Sequence, residues 1–157
     1  MDLILWRHAE AEALPEGTAD ACRDLERKLT ARGDKQAVRM AEWLDRQLPG
    51  SARILVSPAR RCEQTALALG RKFKTRPELA PGATPEALLE VVQWPLARVP
   101  VLVIGHQPTL GQTVARLLGL VETDFSVKKG AVWWLRTRER NGQVQAVVVT
   151  VQSPDFL

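Results

Sequence analysis

The sequence predicts an α/β fold: a three-layer α/β/α sandwich with a mostly parallel central sheet and an antiparallel hairpin at its C-terminal end. Three observations point there. Short apolar runs alternate with apolar residues at helical spacing along most of the chain. An Asn141-Gly142 pair separates two strand-like runs near the end, the strongest short-range hairpin signal. The length of 157 residues, 45% hydrophobic and 25% charged, suits one domain over 1–157 with no linker, repeat or low-complexity segment.

The elements follow in order. Asp2 to Trp6 reads as a buried strand, an apolar run ending in the polar pair Arg7-His8. A polar stretch to Leu29 precedes an amphipathic helix with Ala37, Met40, Ala41, Leu44 and Leu48 on one face, stopped by Pro49-Gly50. Arg53 to Val56 is a second strand. Ser57-Pro58 then opens a helix, Ser57 being a suitable N-cap and Pro58 allowed at the first helical position, with Cys62, Ala66, Leu69 and Phe73 on the buried side. After the turn-rich Pro81-Gly82, Thr84-Pro85 heads a shorter helix over Glu86 to Trp94. Pro100 to Ile104 is a strand, and Gly105-His106-Gln107-Pro108 leads into a helix with Leu110, Val114, Leu117 and Leu118 inward. Ala131 to Thr137 and Gln143 to Val151 are the hairpin strands.

Composition narrows the function. Two cysteines, Cys22 and Cys62, are too few for a disulfide framework or a zinc site and suit a reducing compartment. The short Leu3–Trp6 run makes neither a signal peptide nor a membrane span, so a cytoplasmic protein that does not engage a membrane is expected. The net charge of +4 is spread among acids, which argues against nucleic-acid binding and suits an anionic substrate. The tryptophans Trp6, Trp43, Trp94, Trp133 and Trp134 read as packing residues.

Three polar clusters directly follow predicted strands: Arg7-His8, Ser57 to Arg61, and His106. The carboxyl ends of parallel strands form the crevice where ligands bind, so the clusters are expected to converge. Either histidine alone is as readily a structural residue at a strand end. Both together with arginines point to phosphoryl chemistry, since a neutral imidazole has a lone pair able to attack phosphorus and nearby guanidinium groups disfavour the imidazolium. Arg7 and Arg61 can each grip non-bridging phosphoryl oxygens in a fork, and the helix start after Ser57 adds N–H donors. Arg60 competes with Arg61 for this role, and spacing does not choose between them. Arg27 by itself reads as surface charge. No metal site is expected, because two histidines without a matched carboxylate or cysteine pattern make a poor one.

These motifs resemble the histidine phosphatase (phosphoglycerate mutase-like) superfamily over nearly the whole chain, most closely its short bacterial SixA-type branch of phosphohistidine phosphatases. Leu5-Trp6-Arg7-His8-Ala9 is similar to the Arg-His-Gly signature, with Ala at the third position. Arg27-Lys28-Leu29-Thr30 followed by Gly33 is similar to the branch's Arg-Pro-Leu-Thr segment, Lys28 replacing proline. Ser57-Pro58-Ala59-Arg60-Arg61-Cys62-Glu63-Gln64-Thr65 is similar to Ser-Pro-x-x-Arg-Ala-x-Gln-Thr, which selects Arg61 over Arg60. Gly105-His106-Gln107-Pro108 corresponds to the second histidine motif. The resemblance implies that His8 is the nucleophile and that Arg7, Arg61 and His106 stabilise charge on the phosphoryl oxygens. It also implies that Arg27 is a phosphate ligand, that water hydrolyses a phosphohistidine intermediate, and that neither metal nor cofactor is needed; Ser57, at the helix start, is expected to bind substrate as well.

The leaving group shapes the choice of substrate. An alkoxide needs a proton from a placed acid, whereas an imidazole departs readily. Larger members of the superfamily place that acid where this chain is short. Glu86 and Glu90 are the acids to nominate, against their ordinary reading as solvated helix residues. The expected substrate is therefore a phosphorylated protein bearing phosphohistidine, in a phosphorelay or phosphotransfer system. The alternatives are a small phosphate ester, hydrolysed by a phosphomonoesterase, and a non-catalytic module that binds phosphate or polyphosphate. Lys128-Lys129 reads as an exposed basic turn without an assigned role.

Overall fold

Strand β1 (Asp2–Arg7) is apolar on both faces because it lies inside the sheet, with β4 (Val101–Gly105) parallel on one side and β5 (Val132–Arg140) antiparallel on the other. Beyond β4 lie β2 (Arg53–Val56) and the short edge strand β3 (Lys74–Thr75); beyond β5 lies β6 (Gln143–Gln152). The order is β3-β2-β4-β1-β5-β6, with β3, β2, β4 and β1 parallel and the C-terminal hairpin antiparallel. The computed structural model describes residues 1–18, 20–121 and 125–157.

Side chains alternate across the sheet, so β1 feeds two cores. Ile4 and Trp6, with Ile54, Val56, Leu102 and Ile104, pack against helices α2 (Ala31–Gln47) and α3 (Arg60–Leu67). Leu3 and Leu5, with Leu55, Val101 and Val103, pack against α4 (Pro85–Val91) and α5 (Thr109–Leu118) on the opposite face. This is the expected three-layer sandwich. Trp6 and Trp134 are buried, while Trp43, Trp94 and Trp133 are partly buried against the two cores, all five acting as packing residues. The hairpin turn uses positive φ at both Asn141 (52°) and Gly142 (76°), and β5 continues to Arg140, three residues past the expected Thr137.

Helix boundaries differ in instructive ways. Helix α3 starts at Arg60 and not at Ser57-Pro58: its first bonds run from the Cys62 and Glu63 N–H groups to the Ala59 carbonyl, and Ala59, not Ser57, is the N-cap. Phe73 lies beyond the helix yet packs against the same core. Helix α4 starts at Pro85, capped by Thr84, and stops at Val91, short of Trp94. The polar stretch before Leu29, to which the sequence assigned no element, holds a helix α1 (Ala21–Glu26) capped by Asp20. It buries no residue, so it has no apolar stripe to announce it. Gly33 has a packing reason: a Cβ there would stand 2.0 Å from the Glu10 carbonyl oxygen, so glycine lets the first turn of α2 press on the loop after β1.

Candidate active site

The parallel register sets the site. Arg7 pairs with Gly105 and Val56 with Ile104, so the residues one step beyond each strand, His8, Ser57 and His106, emerge side by side at the carboxyl edge. Backbone bonds continue the ladder past the strands: His8 N–H donates to the Gly105 carbonyl (3.1 Å) and Ser57 N–H to that of Ile104 (3.1 Å). The two imidazole rings lie 5.3 Å apart between centroids. The three clusters converge.

His8 is held in one tautomer. Its Nδ1 lies 2.7 Å from the Ala9 carbonyl oxygen, which can only accept, so Nδ1 carries the proton and the lone pair sits on Nε2. Ala9 is itself pinned, its N–H donating to Thr65 Oγ1 (3.2 Å), whose hydroxyl donates to the Arg61 carbonyl (2.7 Å). Burial pushes the His8 pKa down to about 4, opposed by the Ala9 hydrogen bond and assisted by the charges of Arg61, Arg7 and Arg27. His106 falls further, to about 3, through burial first and then the charges of Arg61 and His8. Both rings are neutral near pH 7.

Arg7 donates through Nη1 to the Val127 carbonyl (2.9 Å), and its own pKa is lowered by burial and by Arg61 beside it. Arg61 is 4% exposed and reaches His106, its Nη2 lying 3.4 Å from Nδ1. Arg60 is exposed and points into a neighbouring cleft, so the geometry makes Arg61 the member of the pair inside the site. The Nε groups of Arg7 and Arg61 are buried donors without an acceptor among the described residues, the arrangement an incoming oxyanion would satisfy. Arg27 joins the cage through the loop after α1, anchored by its Nε to the Glu12 carbonyl (2.6 Å) while Leu29 N–H donates to Gln64 Oε1 (2.7 Å). Arg61, Gln64 and Thr65 thus each tie α3 to a different part of the site.

Asp24 is the residue that sequence reasoning missed. Its carboxylate pairs with Arg27 (3.1 Å) and Arg61 (3.2 Å), and its carbonyl accepts from Arg61 Nη1 (2.7 Å). Burial opposes ionisation, but the hydrogen bond from Arg27 and the charge of Arg61 outweigh it, and the carboxyl is held below the usual value. The only available signal was Asp24 lying three residues before Arg27, one helical turn away. Ser57, expected to bind substrate, is instead fully buried behind His106, with Oγ 2.7 Å from Nε2. Glu86 and Glu90 do not reach the site. Glu86 pairs with Arg116 in the last turn of α5, and Glu90 lines a cleft with Arg53, at the opposite end of β2 from Ser57. Lys128-Lys129 form an exposed turn whose neighbour Gly130 donates its N–H to the His8 carbonyl (3.1 Å). Among the described residues, no three His, Cys, Asp or Glu side chains gather to hold a metal ion, and no helix is long and apolar enough to cross a membrane.

Residues 3–84 match the model of the histidine phosphatase superfamily, branch 1. The chain is 35% identical over 127 residues to phosphohistidine phosphatase SixA of Escherichia coli (strain K12), covering 74% of each chain. It is 32% identical over 135 residues to the SixA homolog of Haemophilus influenzae, covering 76% of this chain and 78% of that one. A solved structure of the protein histidine phosphatase SixA complexed with tungstate superposes with a TM-score of 0.75 at 30% identity, covering 99% of both chains.

Proposed function

This chain belongs to the histidine phosphatase superfamily and is a phosphoric hydrolase, and on that premise we propose that it removes phosphate from phosphohistidine on a phosphorelay or phosphotransfer protein. The chain 1–157 acts as one domain in the cytoplasm, without metal or cofactor. His8 Nε2 attacks phosphorus as the substrate's N–P bond breaks. The substrate's imidazole, already protonated on its other ring nitrogen, leaves as a neutral ring, and water then cleaves the His8–phosphate bond to release inorganic phosphate and restore neutral His8. Arg7, Arg61 and His106 spread and neutralise charge on the equatorial oxygens, with Arg27 as a further phosphate ligand.

The observation that carries the substrate choice is the state of Asp24. Among the described residues it is the acid paired with Arg61, and Arg27 and Arg61 hold it ionised, so it has no proton to give an alkoxide. A leaving imidazole needs none. Beside the cage, on the far side of Arg27, lies an open cleft of about 400 Å³ lined by Arg23, Lys28 and Arg60, a basic surface on which an acidic region of the carrier protein would rest.

The test is phosphate release from a histidine-phosphorylated carrier protein and from a panel of phosphomonoesters, with chelator present and His8→Ala alongside. Release from the phosphohistidine alone, abolished by His8→Ala, is expected. Preference for a phosphomonoester would mean that Asp24 gains a proton when the phosphoryl group arrives. Failure with every substrate would leave phosphate binding as the role of the cage.

A further inference from the structure

His106 has one proton to place between two nitrogens, and its surroundings differ sharply. Nε2 faces the buried side, 2.7 Å from Ser57 Oγ and 3.4 Å from Cys62 Sγ. Nδ1 faces the cage, 3.4 Å from Arg61 Nη2. Arg61 can only donate, so before substrate binds a lone pair on Nδ1 would accept this long contact, from a group that also donates to the Asp24 carboxylate at 3.2 Å.

Ser57 settles the balance. Its oxygen already accepts the Ala59 N–H (3.2 Å), and the residue is fully buried, so its single O–H proton needs an acceptor inside the protein. Among the described residues the acceptor hydrogen-bonded to Ser57 is His106 Nε2. With the imidazole proton on Nε2 instead, Ser57 would accept two N–H groups and its own proton would be left with the Cys62 sulfur, a weak acceptor. Cys62 adds to this. Burial pushes its thiol up to about 12, so the sulfur keeps its proton and offers Nε2 a second, weaker donor, at a position where the motif it resembles has alanine.

We propose that Ser57 is a positioning residue: by donating its hydroxyl proton to Nε2, with the Cys62 thiol behind it, it holds neutral His106 in the Nδ1–H tautomer and so presents an N–H to a phosphoryl oxygen gripped by Arg61. The inference rests on the reading that this cage binds a phosphoryl group, and it gives Ser57 an indirect role in place of the expected contact with substrate. Without it, the ring would turn a lone pair toward anionic oxygens and repel them.

The chain has only two histidines, so two-bond ¹H–¹⁵N correlation spectra of the wild-type protein read both tautomers, with His8→Gln assigning the pair. His106 is expected to show a protonated Nδ1 and an unprotonated Nε2; the reverse pattern overturns the proposal without any change to Ser57. In Ser57→Ala, the His106 pattern should shift toward the other tautomer. There kcat should fall about 10- to 100-fold, less than the loss of an oxyanion donor outright, with KM little changed. Ser57→Thr, which keeps the hydroxyl, should recover much of that loss. An unchanged tautomer in Ser57→Ala, or an unchanged kcat, overturns the assignment. If wild-type protein hydrolyses no phosphohistidine, the substrate reading fails, while the spectra still decide what sets the tautomer.

Discussion

Acidification from pH 7 to pH 5 tests the electrostatics of the site more directly than any single substitution. His8 and His106 have folded pKa values of about 4 and about 3, against an ordinary value of 6.5. A group whose pKa is depressed on folding is protonated more readily in the unfolded chain. The stabilisation from keeping each ring neutral is therefore complete above pH 6.5. It is lost as pH falls through the window down to pH 4 for His8 and pH 3 for His106. At pH 5 the unfolded chain gains RT ln(1 + 10^1.5), about 2 kcal/mol per ring, while the folded chain gains almost nothing. Two rings remove about 4 kcal/mol, a large share of the roughly 5–15 kcal/mol that holds a domain together. Asp2 and Asp24 are also depressed, but from 3.8, so their share of the loss comes at lower pH. Urea denaturation at the two pH values should show the loss as a lower midpoint at constant m-value, and His8→Gln/His106→Gln should largely abolish the difference. An equal drop in wild type and double variant, or ring resonances titrating near 6.5, would refute the account. The same neutrality predicts that phosphoryl transfer to His8 holds its rate down to about pH 5 in single-turnover experiments.

Replacing Arg61 by Ala should lower kcat/KM by about 10²–10³, the cost of one oxyanion donor, whereas Arg60→Ala should cost less than about threefold; equal effects would break the assignment of the buried arginine to the cage. Asp24→Asn removes a charge that competes with a phosphoryl dianion for Arg27 and Arg61. The inhibition constant for inorganic phosphate is expected to fall about 5- to 10-fold, roughly 1 kcal/mol, and weaker inhibition would make Asp24 an anchor of the arginines. Gly33→Ala should destabilise by about 2–3 kcal/mol, read as a drop in Tm, because its Cβ would press on the Glu10 carbonyl. In a thiol-reagent assay at pH 8, exposed Cys22 should react quickly and buried Cys62 only after unfolding; two fast thiols would place Cys62 in contact with solvent.

The sequence by itself determined the layers of the fold and the strand ends at which the candidate site residues stand. Those signals are local: an apolar run such as Leu3–Trp6, helical spacing from Ala37 to Leu48, and Asn-Gly between two β-rich runs each depend on neighbours a few residues away. The clusters Arg7-His8, Ser57 to Arg61 and His106 were equally legible, because each is contiguous, whereas Arg27, and the choice of Arg61 over Arg60, came only from the family resemblance. Tertiary structure alone decided how those residues are served. Asp24 sits on a six-residue helix with no buried side, and it meets Arg61 across 37 positions of sequence. Ser57 looked like the cap of its own helix until His106, 49 positions away, claimed its hydroxyl. Glu86 looked like a candidate acid until α5 supplied Arg116 as its partner, 30 positions on. Periodicity records which face of an element is buried, but not which polar group of a distant element will stand opposite. The charge state and tautomer of each ring are set by those distant partners and by burial, quantities that exist only once the sheet has brought its strand ends together.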